Sequence, residues 1–161
     1  MSNQGQQLIF TPGARPAAQL LICIEAPYPI LSEILGQEVR CSQDLVAVSF
    51  DGARPESLNR LNELIGGALN LSWIISERAL NQRIDSKKLL TQVETEKVIR
   101  LAKVLIAAIE VFGNREKALR WLMRPHRFNG LNLSPMELCT TEEGALLVRD
   151  KLRAIDHGFS A

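Results

Sequence analysis

The chain has 161 residues, of which 46% are apolar and 23% charged, a balance that excludes a disordered or fibrous protein and allows one compact domain or two small helical ones. Net charge is only +1, and its distribution is uneven: three Lys/Arg face six Asp/Glu over residues 1–56, eight face five over 57–103, and eight face seven over 104–161. An excess of three positive charges in the middle segment permits nucleic-acid binding without demanding it, and no apolar run approaches the roughly 20 residues needed to cross a bilayer.

The first 18 residues are rich in Gln, Gly, Pro and Ala, and the composition predicts a mobile arm. Two short apolar runs follow, Leu20 to Ile24 and Ile30 to Leu35. Pro27 and Pro29 between them are expected to stop a continuous helix, leaving at most one turn at Ser32 to Gly36. Ser42 to Phe50 is ambiguous between strand and helix: its β-branched content suits a strand, while Ser42 as cap and Gly52 as stop suit a helix.

Beyond Pro55 the pattern is helical. Pro55 and Glu56 open a helix with Leu58, Leu61, Leu64 and Ile65 on one face, and Gly66-Gly67 ends it. A dense apolar cluster, Leu69, Leu71, Trp73, Ile74 and Ile75, precedes Ser76, a good N-cap. The helix that Ser76 starts turns Ala79, Leu80 and Ile84 inward, and Arg78, Asn81, Gln82 and Asp85 outward.

After the basic turn Ser86-Lys87-Lys88, the capping box Thr91-x-x-Glu94 starts a long helix with Val93, Val98, Leu101, Ala102, Leu105, Ala108, Ile109 and Phe112 in period. Gly113-Asn114 stops it. A short helix over Glu116 to Met123 ends before Pro125, with Trp121 expected in the core. A basic loop, Arg124 to Gly130, leads to one turn at Pro135 to Leu138. The last helix, Thr141 to Ile155, has Leu146, Leu147, Val148, Leu152 and Ile155 as its apolar positions.

Enzymatic chemistry finds no foothold in these patterns. Cys23, Cys41 and Cys139 are odd in number and show no metal-binding spacing. His126 and His157 lie about 30 residues apart, each without a nucleophile or a carboxylate ligand set nearby. Glu94/Glu96 and Glu142/Glu143 sit where helix dipoles account for them. No catalytic residue, metal or cofactor is expected.

Two binding surfaces remain. The helix after Ser76 exposes Arg, Asn and Gln, the side chains that pair with guanine and adenine edges in the major groove. A solvated helix face has the same composition, so spacing alone leaves both possibilities open. Lys87 and Lys88 are placed either to contact phosphates or to keep a surface solvated, whereas the solvated role is expected for Arg100 and Lys103. The Arg124 to Gly130 loop has the charge to meet an acidic partner.

The C-terminal third carries a specific order of motifs: Phe112-Gly113-Asn114, Ala118-Leu119-Arg120-Trp121-Leu122, Pro125, Asn129-Gly130-Leu131 and Ser134-Pro135-Met136-Glu137-Leu138. It closes with Thr141-Glu142-Glu143-Gly144, Val148, Leu152 and Ile155-Asp156-His157-Gly158. Each is common alone, but their joint order resembles the C-terminal toxin-binding domain of the Xre/MbcA/ParS antitoxins. Ile75-Ser76, Arg78, Leu80 and Arg83 likewise resemble the recognition segment of that family, although Gln82-Arg83 stands where many members carry two arginines.

The resemblance implies a mainly all-α fold with three parts: an N-terminal arm with a short helical or irregular segment (1–54), a helix-turn-helix domain (55–103), and a toxin-binding domain (104–161) joined by the long helix. It implies a cytoplasmic antitoxin that neutralises a NAD-consuming RES-domain toxin by covering its active site and represses its own operon. DNA contact then falls to Arg78, Asn81, Gln82, Arg83, Lys87 and Lys88. Toxin contact falls to Arg127, Asn129 and Gly130 of the loop and to Arg153, Asp156, His157 and Gly158 of the terminal segment. The implied assembly is a homodimer or a hetero-oligomeric complex with the toxin. A free-standing helix-turn-helix regulator with a C-terminal dimerisation or sensing domain is the alternative, and a structural module that never touches DNA is a third possibility.

Overall fold

A computed structural model of the chain describes residues 28–128 and 130–158. The expected arm at 1–18, the run Leu20 to Ile24 with Cys23, and Asn129 lie outside the described residues. What is described is mostly helical, in the order α1 (Tyr28–Leu35), α2 (Ser42–Asp51), α3 (Glu56–Leu64), a 3-10 turn (Leu71–Trp73), α4 (Glu77–Asp85), α5 (Gln92–Phe112) and α6 (Arg115–Met123). A two-stranded hairpin, β1 (His126–Phe128) and β2 (Leu131–Leu133), follows, then α7 (Pro135–Leu138) and α8 (Glu142–Asp156). No helix among these residues is long and apolar enough to cross a membrane.

Helix α5 is the spine. Its capping box forms as the sequence predicts: the Thr91 hydroxyl accepts from the Glu94 N–H, and the Glu94 carboxylate accepts from the Thr91 N–H at 2.7 Å. Gly113, with φ +60°, ends the helix in the left-handed conformation that glycine adopts without strain. Along its 21 residues, Thr95, Val98, Ile99, Leu101, Ala102, Val104, Leu105, Ile106 and Ala108 are all buried. That covers far more than one stripe, because α1, α2 and α3 pack on part of its circumference and α6 and α8 on the rest. The resulting core is one cluster running from Leu31 in α1 to Leu152 in α8.

Polar ties fix how the other elements meet this spine. The buried Thr95 hydroxyl accepts from the Ala53 N–H at 3.0 Å, and the Leu90 N–H donates to the Ala53 carbonyl at 2.8 Å. The Arg115 guanidinium, at the start of α6, closes the C-terminal end of α3, donating to the Glu63 carbonyl and to the Leu64 carbonyl at 2.7 Å. Those carbonyls have no partner inside their own helix. In α7 the Ser134 hydroxyl and backbone N–H both donate to Glu137, and these two bonds hold the Glu137 carboxyl below the usual carboxylate range.

Several expectations are corrected. Pro29 does not end a helix; it lies in the first turn of α1, where its missing N–H has no helical partner to lose, so the helix runs two turns from Tyr28. Ser42 is not the cap of α2 but its first residue, Cys41 being the cap without a side-chain bond, and the Ser42 hydroxyl meets the Tyr28 hydroxyl instead at 3.0 Å. Ile84 and Val93, assigned to inward faces, are exposed, as are Leu146 and Leu147. In α8 the buried face is Gly144, Ala145, Val148 and Leu152, a narrow stripe of small residues followed by larger ones. The expected loop after Pro125 is in part a β-hairpin, with His126 opposite Leu133, Arg127 opposite Asn132 and Phe128 opposite Leu131.

Gly144 explains why the α8 stripe begins small. A Cβ there would overlap the backbone carbonyl of Leu138, so α8 closes against the end of α7 with no room for a methyl group. Gly144→Ala is therefore expected to destabilise the protein by about 1–3 kcal/mol, since backbone cannot move aside as a side-chain tip can. Urea or thermal unfolding of the variant would measure this, and an unchanged midpoint would show that α8 is not held in this register.

Candidate functional site

The first candidate surface is built around α4. Its approach is pinned from below: Ile74 and Ile75 are buried, Leu71 and Trp73 half-buried, and the Lys97 ammonium donates to the Trp73 carbonyl at 3.1 Å. The Asn70 carboxamide closes the preceding 3-10 turn by accepting from Ser72. Ser76 then caps α4, its hydroxyl accepting from the Ala79 N–H. Leu80 is the single buried residue of the helix, so almost all of α4 faces outward.

Arg78, Asn81 and Gln82 are exposed and, with Glu77, Asp85 and Ser86, line a shallow open groove. Lys87 and Lys88 follow on an exposed turn that Lys87 makes with φ +51°. Arg83 behaves differently. Its Nη1 donates to the Leu89 carbonyl at 3.1 Å and its Nη2 to the Glu94 carboxylate at 3.0 Å, in a pair whose side chains are 22% and 14% exposed. Glu94 thus serves both as the capping acid of α5 and as the anchor that ties the end of α4 to it. With Arg83 so engaged, the outward charge of the α4 face comes from Arg78 between two acids, Glu77 and Asp85. The element before α4 is a single three-residue turn, where a helix-turn-helix carries a full first helix.

The second candidate surface is the C-terminal unit. Trp121 is half-buried, set between Phe112 at 5.6 Å and His126 at 5.4 Å between ring centroids. His126 Nε2 also bonds the Trp121 carbonyl at 3.0 Å. These contacts fasten the first strand of the hairpin to α6. Arg127 and Gly130 are exposed on the hairpin, Gly130 at its turn with φ +89°. On α8, Arg153 is exposed and paired with Asp150 at 2.8 Å, and Asp156, His157 and Gly158 form the exposed helix end. Among the described residues no hydrogen bond or ion pair joins Arg127 or Gly130 to Arg153, Asp156 or His157.

Leu146 and Leu147, expected on the inward face of α8, and Leu131 and Leu133 of the hairpin add to this surface. Leu131, Leu133, Leu146 and Leu147 are 38–49% exposed, all within the C-terminal unit. Glu142, at the start of α8, accepts from Arg100 Nε at 2.7 Å and from Arg149 Nη2 at 3.5 Å, so Arg100 is a cross-helix tie rather than a solvated charge. Cys139 is buried between α7 and α8, and its thiol pKa is pushed up to about 12, burial outweighing the opposing pull of Arg100 and Arg149. It is inert at neutral pH.

The different roles of Arg78 and Arg83 are testable by stability alone. Arg83→Ala removes two charge-assisted hydrogen bonds and leaves Glu94 short of a partner, so a loss of about 1–3 kcal/mol is expected. Arg78→Ala, on the open face, should stay within about 0.5 kcal/mol of the native chain. Chemical denaturation of both variants decides it, and equal midpoints would remove the distinction.

Comparison with known proteins bears on the C-terminal unit directly. Residues 107–158 match the family model described as the antitoxin Xre/MbcA/ParS C-terminal toxin-binding domain. An "Antitoxin Xre" of Pseudomonas putida is 39% identical over 87 residues, covering 53% of this chain and 54% of its own length. Relatives of the same description from Photorhabdus laumondii and Yersinia enterocolitica are 33% and 35% identical, over 53% and 52% of this chain and 57% of each relative. The chain thus spans little more than half the length of these curated relatives. The resemblance to Xre/MbcA/ParS-type antitoxins, visible in the order of the C-terminal motifs, is supported by both comparisons.

Proposed function

We propose that this chain is the antitoxin of a toxin-antitoxin pair, that its C-terminal unit occludes the active site of a NAD-consuming RES-domain toxin, and that α4 with the following lysines binds the operator of its own operon. The observation that carries the first part is positional. The segment matched as toxin-binding, 107–158, carries four exposed leucines, Leu131, Leu133, Leu146 and Leu147, beside an exposed charged helix end. An inhibitor needs no reactive group; it needs a rigid surface that fits a cleft and holds on. Apolar anchors supply affinity, while rim charges such as Arg127, Arg153 and Asp156 supply orientation. Asp156-His157-Gly158 offers a negative charge, a titratable ring and a flexible stop at an exposed end, suited to a cleft that holds an anionic dinucleotide through basic side chains.

The neutralising half is tested by co-expression with a RES-domain toxin. Deleting 153–161 should abolish neutralisation while circular dichroism retains the helical signal, because Ala145, Val148 and Leu152 keep the buried stripe of α8; half-buried Ile155 accounts for some loss of stability. Leu146→Asp with Leu147→Asp, both on the open face, should weaken toxin capture in pull-downs roughly tenfold or more without unfolding the protein. Full neutralisation by both variants would place the contact elsewhere, foremost in the hairpin.

Exposed Arg78, Asn81 and Gln82 favour a DNA role, and their side chains match the base-reading repertoire. Arg78→Ala with Gln82→Ala should lose about 1–3 kcal/mol per base contact in gel-shift titrations against the promoter at fixed salt, with neutralisation intact. Unchanged promoter affinity would leave α4 as a solvated face. If promoter binding persists and no toxin is captured, the chain is a free-standing regulator.

A further inference from the structure

Lys103 lies midway along α5, half-buried, and makes no hydrogen bond or ion pair among the described residues. It lines a recess of about 190 Å³ with Ser49 of α2, Glu96 and Arg100 of α5, and Glu142 and Arg149 of α8. Three cations meet two carboxylates there, and both carboxylates are already committed. Glu142 is shared by Arg100 and Arg149, while Glu96 accepts from the Gln92 amide at 2.9 Å. The Lys103 ammonium is thus left with solvation reduced and a guanidinium beside it. Burial first, and then Arg149, depress its pKa, with Glu142 only partly offsetting them. A lysine held in that way is unfavourable for the fold by itself, since an apolar chain of the same length would fill the site without the charge.

We propose that this recess between α5 and α8 binds a phosphate dianion, either inorganic phosphate or the terminal phosphate of a small monoester. Ammonium and guanidinium donors approach from two helices, an arrangement that suits a tetrahedral oxyanion with acceptors on every side. The excess positive charge of the lining also favours a dianion over a neutral guest. The bound anion would neutralise Lys103 and bridge the middle of α5 to the start of α8, fastening the toxin-binding unit to the helix that carries it.

The test uses thermal melts of the full chain titrated with sodium phosphate, with glycerol 1-phosphate, and with sodium chloride at matched ionic strength. A saturable rise in melting temperature with phosphate is expected, absent with chloride. A matching rise with glycerol 1-phosphate assigns the site to terminal monoesters as well, and its absence restricts it to the inorganic ion. Lys103→Met should melt no lower than the native chain without phosphate, and should weaken the phosphate response roughly tenfold or more. Lys103→Arg should retain the response, as should Lys117→Met on the exposed face of α6. A response that follows ionic strength alone, or one that survives Lys103→Met, overturns the proposal.

Discussion

Helix α5, 21 residues and about 30 Å long, is buried around most of its circumference, and this forces the arrangement of everything else. A helix with Val98, Ile99, Leu101, Val104, Leu105 and Ile106 all out of water cannot rest on a single neighbour. It needs α1, α2 and α3 on one part of its surface and α6 and α8 on another. Each buried Leu or Ile contributes roughly 1.5–3 kcal/mol against exposure, so the spine couples the chain from α1 to α8 through one core.

Charged residues placed where elements meet turn that apolar contact into a defined geometry. Arg115 closes the end of α3, Arg83 binds Glu94 at the start of α5, and Arg100 and Arg149 share Glu142 at the start of α8. The Arg115, Arg83 and Arg100 ties each join two elements that are distant in sequence and act at a helix end. The same ties decide which cations remain available to a ligand. Arg78, Lys87, Lys88, Arg127 and Lys103 make no ion pair among the described residues, whereas Arg83 is committed to Glu94 and the Leu89 carbonyl.

In the proposed function, this division assigns separate work to separate faces. The DNA-reading role rests on a face whose arginine stands between Glu77 and Asp85, so sequence-independent phosphate attraction would fall mostly to Lys87 and Lys88. The toxin-binding role rests on exposed leucines backed by a rigid unit, in which the Trp121 ring holds α6, Phe112 and the hairpin together. Rigidity there lowers the ordering cost of association.

Much of the architecture was legible before folding because it is written in local chemistry. Thr91-x-x-Glu94 and Ser76 act at their own helix starts through groups three residues away, and Gly52, Gly66-Gly67 and Gly113 end helices through their own backbone freedom; Asn114, read as part of a stop, proves to cap the next helix. The order of motifs from Phe112 to Gly158 similarly identified the family resemblance, since it depends on spacing alone. Burial was less legible. Ile84, Val93, Leu146 and Leu147 fit a helical period yet face outward, while Ile99, Val104 and Ile106 lie off the assigned stripe yet are buried, because a period marks a face without saying how many neighbours cover it. The partners of Arg83 and Arg100 are 11 and 42 residues away, and the recess at Lys103 joins three helices; contacts across such separations exist only once the core has brought the helices together. The sequence by itself determined the elements and their caps, and tertiary packing decided which side chains were left for partners.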